Sequence, residues 1–220
     1  MAPPAAVLLF GGTFDPVHLG HLAAADQLRA RTGAGAAWLV PSARPPHRRP
    51  PVASAPDRLR MVELAVAQRP GLSACPLEVE RGGRSYTVDT VAALRAAHPG
   101  TRLLLALGAD AARALGRWRE PERLLALAEL VVYDRPGVPP MGAGPGPGLL
   151  QGGGAWHHVG AIEAPALAAT TIRRRLRAGD PCVDALPPAV AAYIQARGLY
   201  RSGAPGGAVP PPGAAIIGLG

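Results

Sequence analysis

Apolar residues along the chain fall into short runs, separated by segments in which Ala and Leu alternate with polar residues. Val7–Phe10 is an apolar run that stops at Gly11-Gly12, the pattern of a buried strand. Gly20 to about Arg31 carries helical spacing. Ala36–Val40 is a second strand, ended by Pro41. Ser54-Ala-Pro-Asp57 is a helix start: a hydroxyl cap, proline in the first turn and an acid three residues on. Leu59, Val62, Leu64, Ala65 and Val66 supply that helix's apolar face. A strand is expected over Leu72–Val79, and a helix from about Thr87 to Ala97, where Pro99-Gly100 stops it. Leu103–Leu107 is a fourth strand. Short helices follow near Ala111–Leu115 and Pro121–Ala128. Leu130–Tyr133 is a fifth strand and His157–Ile162 a candidate sixth.

Strands alternating with helices predict an α/β fold, a parallel sheet covered on both faces. Right-handed crossovers make it doubly wound, and its ligands bind beyond the carboxyl ends of the strands. Residues 1–200 are expected to form one domain. Residues 136–154 are mostly Gly and Pro, and half of residues 201–220 are. The first segment reads as a mobile loop and the second as a disordered tail, because neither can bury enough surface to offset its ordering entropy.

Composition narrows the class. The chain has 220 residues, 48% of them hydrophobic, enough for a sizeable core without disulfides. Cys75 and Cys182 form no CxxC pair, which suits a reducing, cytoplasmic setting. No apolar run reaches the length of a membrane span, and the start lacks the basic residues of a signal peptide. The net charge is +8 and every basic residue is Arg. The absence of Lys and Asn, both with A-rich codons, accounts for part of that bias. The remainder reads either as a solvated surface or as attraction for an anionic ligand. Nucleic-acid binding is disfavoured, since only 4% of residues are aromatic and no RNP or helix-turn-helix signature is present. The sequence leaves homo-oligomer formation open.

The strongest chemical signal is Gly11-Gly12-Thr13-Phe14-Asp15-Pro16-Val17-His18-Leu19-Gly20-His21, which leaves the first strand and opens the first helix. Glycines there let backbone approach a ligand, and a helix start offers free N–H groups and a positive dipole end, an anion site suited to phosphate. His18 and His21, three residues apart, share one side of that start, and Gly20 between them is expected to leave room for the ligand. A metal role is not supported, because no Cys or acid completes a zinc spacing. GxGxxG and GK[ST] are both absent, which excludes the dinucleotide fingerprint and the Walker loop.

Gly12–Pro16 with the HxGH of His18–His21 resembles the nucleotidylyltransferase superfamily. Five further pieces occur in order: Pro45-Pro46-His47-Arg48, Ser85-Tyr86-Thr87-Val88-Asp89-Thr90, Gly108-Ala109-Asp110 with Trp118, Arg135-Pro136, and Leu199-Tyr200. Together they resemble the bacterial nicotinate-nucleotide adenylyltransferases, over roughly Leu8 to Tyr200. The resemblance implies a Rossmann-like fold and transfer of AMP from ATP to nicotinate mononucleotide. It places Gly12, Thr13, Phe14, His18, His21, Gly108, Asp110, Arg135, Thr170, Ile172 and Arg173 at ATP, with His18, His21 and Arg173 catalytic. It places Asp15, His47, Arg48, Tyr86, Thr87 and Trp118 at the mononucleotide, and Mg²⁺ with ATP. Each piece also has a plainer reading: Trp118 packed under a loop, Ser85–Thr90 a capped helix start, Asp110 a helix cap, His47-Arg48 an exposed loop.

One stretch departs from the family. Where the family has Ser-Ser-Thr-x-Ile-Arg, this chain has Ala168-Ala169-Thr170-Thr171-Ile172-Arg173. Two hydroxyl donors are missing, each worth about 0.5–1.5 kcal/mol. Arg174, Arg175 and Arg177 are candidates to compensate. The competing readings are a different acceptor, such as nicotinamide mononucleotide or phosphopantetheine, and a nucleotide sensor without catalysis.

Overall fold

The computed structural model describes residues 5–46, 49–134, 139–141 and 155–201. In chain order the elements are β1 (Ala6–Gly12), α1 (Leu19–Thr32), β2 (Ala36–Pro41), α2 (Ala55–Val66), β3 (Leu72–Ala74), α3 (Leu77–Arg81), α4 (Thr87–Ala97), β4 (Arg102–Gly108), α5 (Ala109–Arg113), a 3₁₀ turn (Leu115–Arg117), α6 (Pro121–Leu127), β5 (Glu129–Asp134), β6 (Trp156–Ala161), α7 (Ala169–Arg177) and α8 (Pro188–Ala196). The strands form one sheet in the order β3-β2-β1-β4-β5-β6, all neighbours parallel. The expected doubly wound sheet is therefore present.

Alternation along β1 sorts the core into two layers. Leu8 and Phe10 pack with Leu22, Ala25 and Leu28 of α1, Met61 and Val62 of α2, and Val190 and Ile194 of α8. Val7 and Leu9 pack on the opposite face with Val88, Val91 and Leu94 of α4 and Leu124 of α6. The chain crosses from one half of the sheet to the other between β1 and β4, where a doubly wound sheet opens its binding crevice.

Three expectations need correction. The strand expected over Leu72–Val79 stops at Ala74, and α3 takes over after Pro76. Proline cannot donate to a ladder but suits a helix start, and Gly82 at φ +67° ends the helix. The inner face of α2 is Arg58, Met61, Val62, Ala65 and Val66; Leu59 and Leu64 are only half-buried. Helix α8 was not expected, although proline in its first turn and buried Val190 and Ile194 four residues apart mark it. The Gly/Pro-rich loop at 136–154 and the tail fall almost wholly outside the described residues. Among the described residues, no helix is long and apolar enough to cross a membrane.

Candidate active site

A cavity of about 1070 Å³ opens at the carboxyl ends of β1 and β4. One end is the turn between β1 and α1. Phe14 sits there at φ +49°, a left-handed conformation that costs a non-glycine residue about 1–3 kcal/mol. Packing holds it: the ring lies on Gly12, meets the Phe10 ring at 6.2 Å and stands edge-on to His21 at 5.0 Å. A Cβ on Gly12 would lie 2.8 Å from the Phe14 ring, whereas one on Gly11 would meet no protein atom within 4 Å. The two glycines therefore do different work. Gly12 seats Phe14, and Gly11 keeps the backbone open to the cavity. Gly20 also departs from expectation, because its missing Cβ would fall 2.9 Å from the Pro165 carbonyl oxygen and 3.2 Å from His18 Nδ1. That space belongs to the protein.

His18 caps α1, and its backbone N–H donates to His21 Nδ1 at 3.3 Å. The two imidazoles stack with centroids 3.6 Å apart and planes 20° from parallel. Both line the cavity. Burial lowers the His18 pKa from its ordinary 6.5 to about 4, so the ring is neutral at physiological pH. Its Nδ1 is buried with no hydrogen-bond partner among the described residues. A neutral ring still offers one N–H donor and one acceptor.

Asp15 is buried, and its carboxylate is held largely by the protein. It accepts from Val52 N at 2.8 Å, Ala53 N at 3.1 Å and the Tyr200 hydroxyl at 2.8 Å, and pairs with Arg173 at 3.6 Å. Arg173 also donates to the Asp15 carbonyl at 2.6 Å. Three hydrogen bonds use three of the four lone-pair sites of the carboxylate, and Arg173 balances its charge. Asp15 also lines the cavity. Asp15 ties the turn to the 52–53 loop, to α7 and to Tyr200, which follows α8. Burial, with Asp15 beside it, pushes the Tyr200 phenol far up.

The start of α7 carries no side-chain cap, and Ala168, Ala169, Thr170 and Arg173 line the cavity. Ile172 is a core residue, 1% exposed, so its side chain anchors the helix and does not line the cavity. Arg175 cannot compensate for the missing serines, since Asp180 and Asp184 hold it at 2.6 Å each. Arg174 and Arg177 do not line the cavity either. Tyr86, Thr87 and Trp118 line the far end, and Asp110 lines the wall after β4. Gly108, the cap of α5, is buried beside it. His47, Arg48 and Arg135 lie outside the described residues. Among the described residues, no three of His, Cys, Asp or Glu cluster as a metal site.

Several residues at this site escaped the sequence reading. Arg58 is 1% exposed and donates to the carbonyls of Ala53, Thr13 and Ala43 at 3.2, 2.7 and 2.9 Å, clamping three loops. Burial lowers its pKa, opposed chiefly by Asp15. The signal was a charged residue inside the stripe of Met61, Val62 and Ala65. Glu78 lines the cavity and accepts from Thr90 at 2.7 Å; burial raises its pKa. Ser85 accepts from Ala43 N at 2.9 Å and is buried. Ser85 and Thr90 thus brace α4, and of that motif Ser85, Tyr86, Thr87 and Val88 line the cavity.

Known proteins match this chain closely. Residues 9–175 match the family model described as cytidylyltransferase-like. A protein of Chromohalobacter salexigens named a probable nicotinate-nucleotide adenylyltransferase is 40% identical over 213 residues, covering 90% of this chain and 97% of its own. A Thermus thermophilus protein of the same name is 42% identical over 193 residues, covering 88% and 98%. The solved Plasmodium falciparum nicotinic acid mononucleotide adenylyltransferase complexed with NaAD superposes with a TM-score of 0.69 at 17% identity, over 89% of this chain and 97% of that one.

Proposed function

We propose a function for a chain that belongs to the cytidylyltransferase-like family and, within it, to the nicotinate-nucleotide adenylyltransferases: it transfers AMP from ATP to nicotinate mononucleotide, giving deamido-NAD and pyrophosphate in NAD biosynthesis. The carrying observation is one continuous cavity with a helix-start phosphate corner at one end and Tyr86, Thr87 and Trp118 at the other. ATP fits the first end and a flat, anionic pyridine ring the second. Trp118 offers a stacking face, and the start of α4 offers backbone N–H groups to the ring carboxylate.

A phosphate oxygen of the mononucleotide attacks the α-phosphorus of ATP in line. The bond from that phosphorus to the α,β-bridging oxygen breaks, and the electron pair leaves with pyrophosphate. The attacking oxygen is already anionic, so no general base and no protein nucleophile are needed. Positioning contributes about 7–11 kcal/mol to such a step, and each well-aimed donor about 3–4 kcal/mol. His18 and His21 donate to the phosphates through their ring N–H groups. Arg173 supplies the fixed positive charge, held in place by Asp15. Gly12 and Thr13 shape the cup, and Asp110 accepts from ribose hydroxyls. Mg²⁺ enters as part of the ATP substrate, as an ion that keeps several waters and takes phosphate oxygens commonly does. The one-domain organisation over residues 1–200 and a cytoplasmic setting belong to the same proposal; the thiols of Cys75 and Cys182 are free.

The test is pyrophosphate release from ATP with a panel of acceptors. Rapid release with nicotinate mononucleotide, and little with phosphopantetheine, is expected. ATP binding without release for any acceptor would overturn the catalytic reading.

A further inference from the structure

Arg119 directly follows the ring platform Trp118 and lines the same end of the cavity as Tyr86 and Thr87. Its guanidinium carbon lies 4.9 Å from the centroid of the Tyr86 ring. Stacking on an aromatic face restrains a guanidinium and leaves its planar edge of donors outward. Arg84 reaches the hydroxyl of the same tyrosine at 3.4 Å, so two cations bracket the residue that caps α4. Two carboxylates face Arg119, Glu120 at 3.2 Å and Asp89 at 3.7 Å. Glu120 is shared with Arg123 at 2.8 Å. Arg119 and Arg123 thus share the Glu120 carboxylate, and Arg84 adds a guanidinium at the Tyr86 hydroxyl.

We propose that Arg119 is a specificity-determining residue that biases the acceptor subsite toward pyridine mononucleotides with an anionic ring substituent, nicotinate over nicotinamide. The inference rests on the reading of Trp118, Tyr86 and Thr87 as the ring subsite. Backbone N–H donors at a helix start accept a carboxylate oxygen or an amide carbonyl oxygen, so alone they separate acid from amide weakly. A nearby full charge acts on the acid only. Arg119 side-chain exposure is 51%, so solvent screens its field and the selectivity it adds is modest, about three- to tenfold.

The experiment compares kcat/KM for nicotinate and nicotinamide mononucleotides in the full chain and in Arg119→Gln, Arg119→Lys and Arg119→Glu. The acid-to-amide ratio should fall about three- to tenfold in Arg119→Gln, mainly through a higher KM for the acid. It should fall further in Arg119→Glu and stay largely intact in Arg119→Lys. Raising the salt concentration should lower the ratio in the wild type and leave it flat in Arg119→Gln. A ratio unchanged in Arg119→Gln, or equal losses on both acceptors, would overturn the inference while the adenylyl-transfer reading stood. A wild type that releases no pyrophosphate with either acceptor would instead remove that reading, and the inference with it.

Discussion

Replacing His18 by Asn should remove one specific part of the protein's acid sensitivity. Asn is a residue type that favours the first position of a helix, and it removes the titratable ring. In the folded chain burial lowers the His18 pKa from 6.5 to about 4. Between those values the unfolded chain binds the proton and the folded chain does not. Stability is therefore full above pH 6.5 and is lost as pH falls toward 4. Integrating that linkage, His18 alone removes about 2 kcal/mol between pH 7.5 and pH 5, and about 3 kcal/mol once the pH is below 4. The assay is urea unfolding of wild type and His18→Asn at pH 7.5, 6 and 5, with the difference between the two read at each pH. Groups common to both proteins cancel. The wild type should lose about 2 kcal/mol more than the variant by pH 5. Parallel losses would show that His18 titrates as it does in the unfolded chain and that burial does not keep the ring neutral through the acidic range.

Other substitutions test neighbouring contacts. Gly20→Ala should destabilise the protein by about 1–3 kcal/mol in urea unfolding, because the new methyl meets the Pro165 carbonyl at 2.9 Å; an unchanged midpoint would mean that space is free. Tyr200→Phe should cost about 1–3 kcal/mol by leaving Asp15 one donor short, and wild-type stability would detach the segment after α8 from the turn. Trp118→Ala should raise the mononucleotide KM about tenfold while moving the ATP KM little, as loss of ring stacking predicts; equal shifts in both would make Trp118 a packing residue.

The centre of the sheet was legible because β1, β2 and β4 are short, continuous apolar runs ended by Gly or Pro, as at Gly11-Gly12 and Pro41. The His18–His21 corner was legible because its residues are contiguous in sequence and sit where a strand meets a helix. What stayed hidden depends on distant partners. Asp15 reads locally as a residue exposed to ligand, yet its acceptors are taken by Val52, Ala53, Arg173 and Tyr200, separated from it by up to 185 positions. The Gly20 spacing cannot reveal that Pro165 fills the gap. Arg58 looks like a surface arginine until three carbonyls from separate loops converge on it. The strand misread after Ala74 has a local cause: the alternation of Leu77, Val79 and their acidic neighbours fits a strand, and Pro76 decides against it.

A crystal structure with a non-hydrolysable ATP analogue bears on the phosphate corner more directly than any kinetic result. The triphosphate should lie across the start of α1, with phosphate oxygens within hydrogen-bond reach of His18 and His21 and the start of α7 on its other side. Density for the triphosphate away from that turn, or a turn kept shut by the Phe14 ring, would contradict the account.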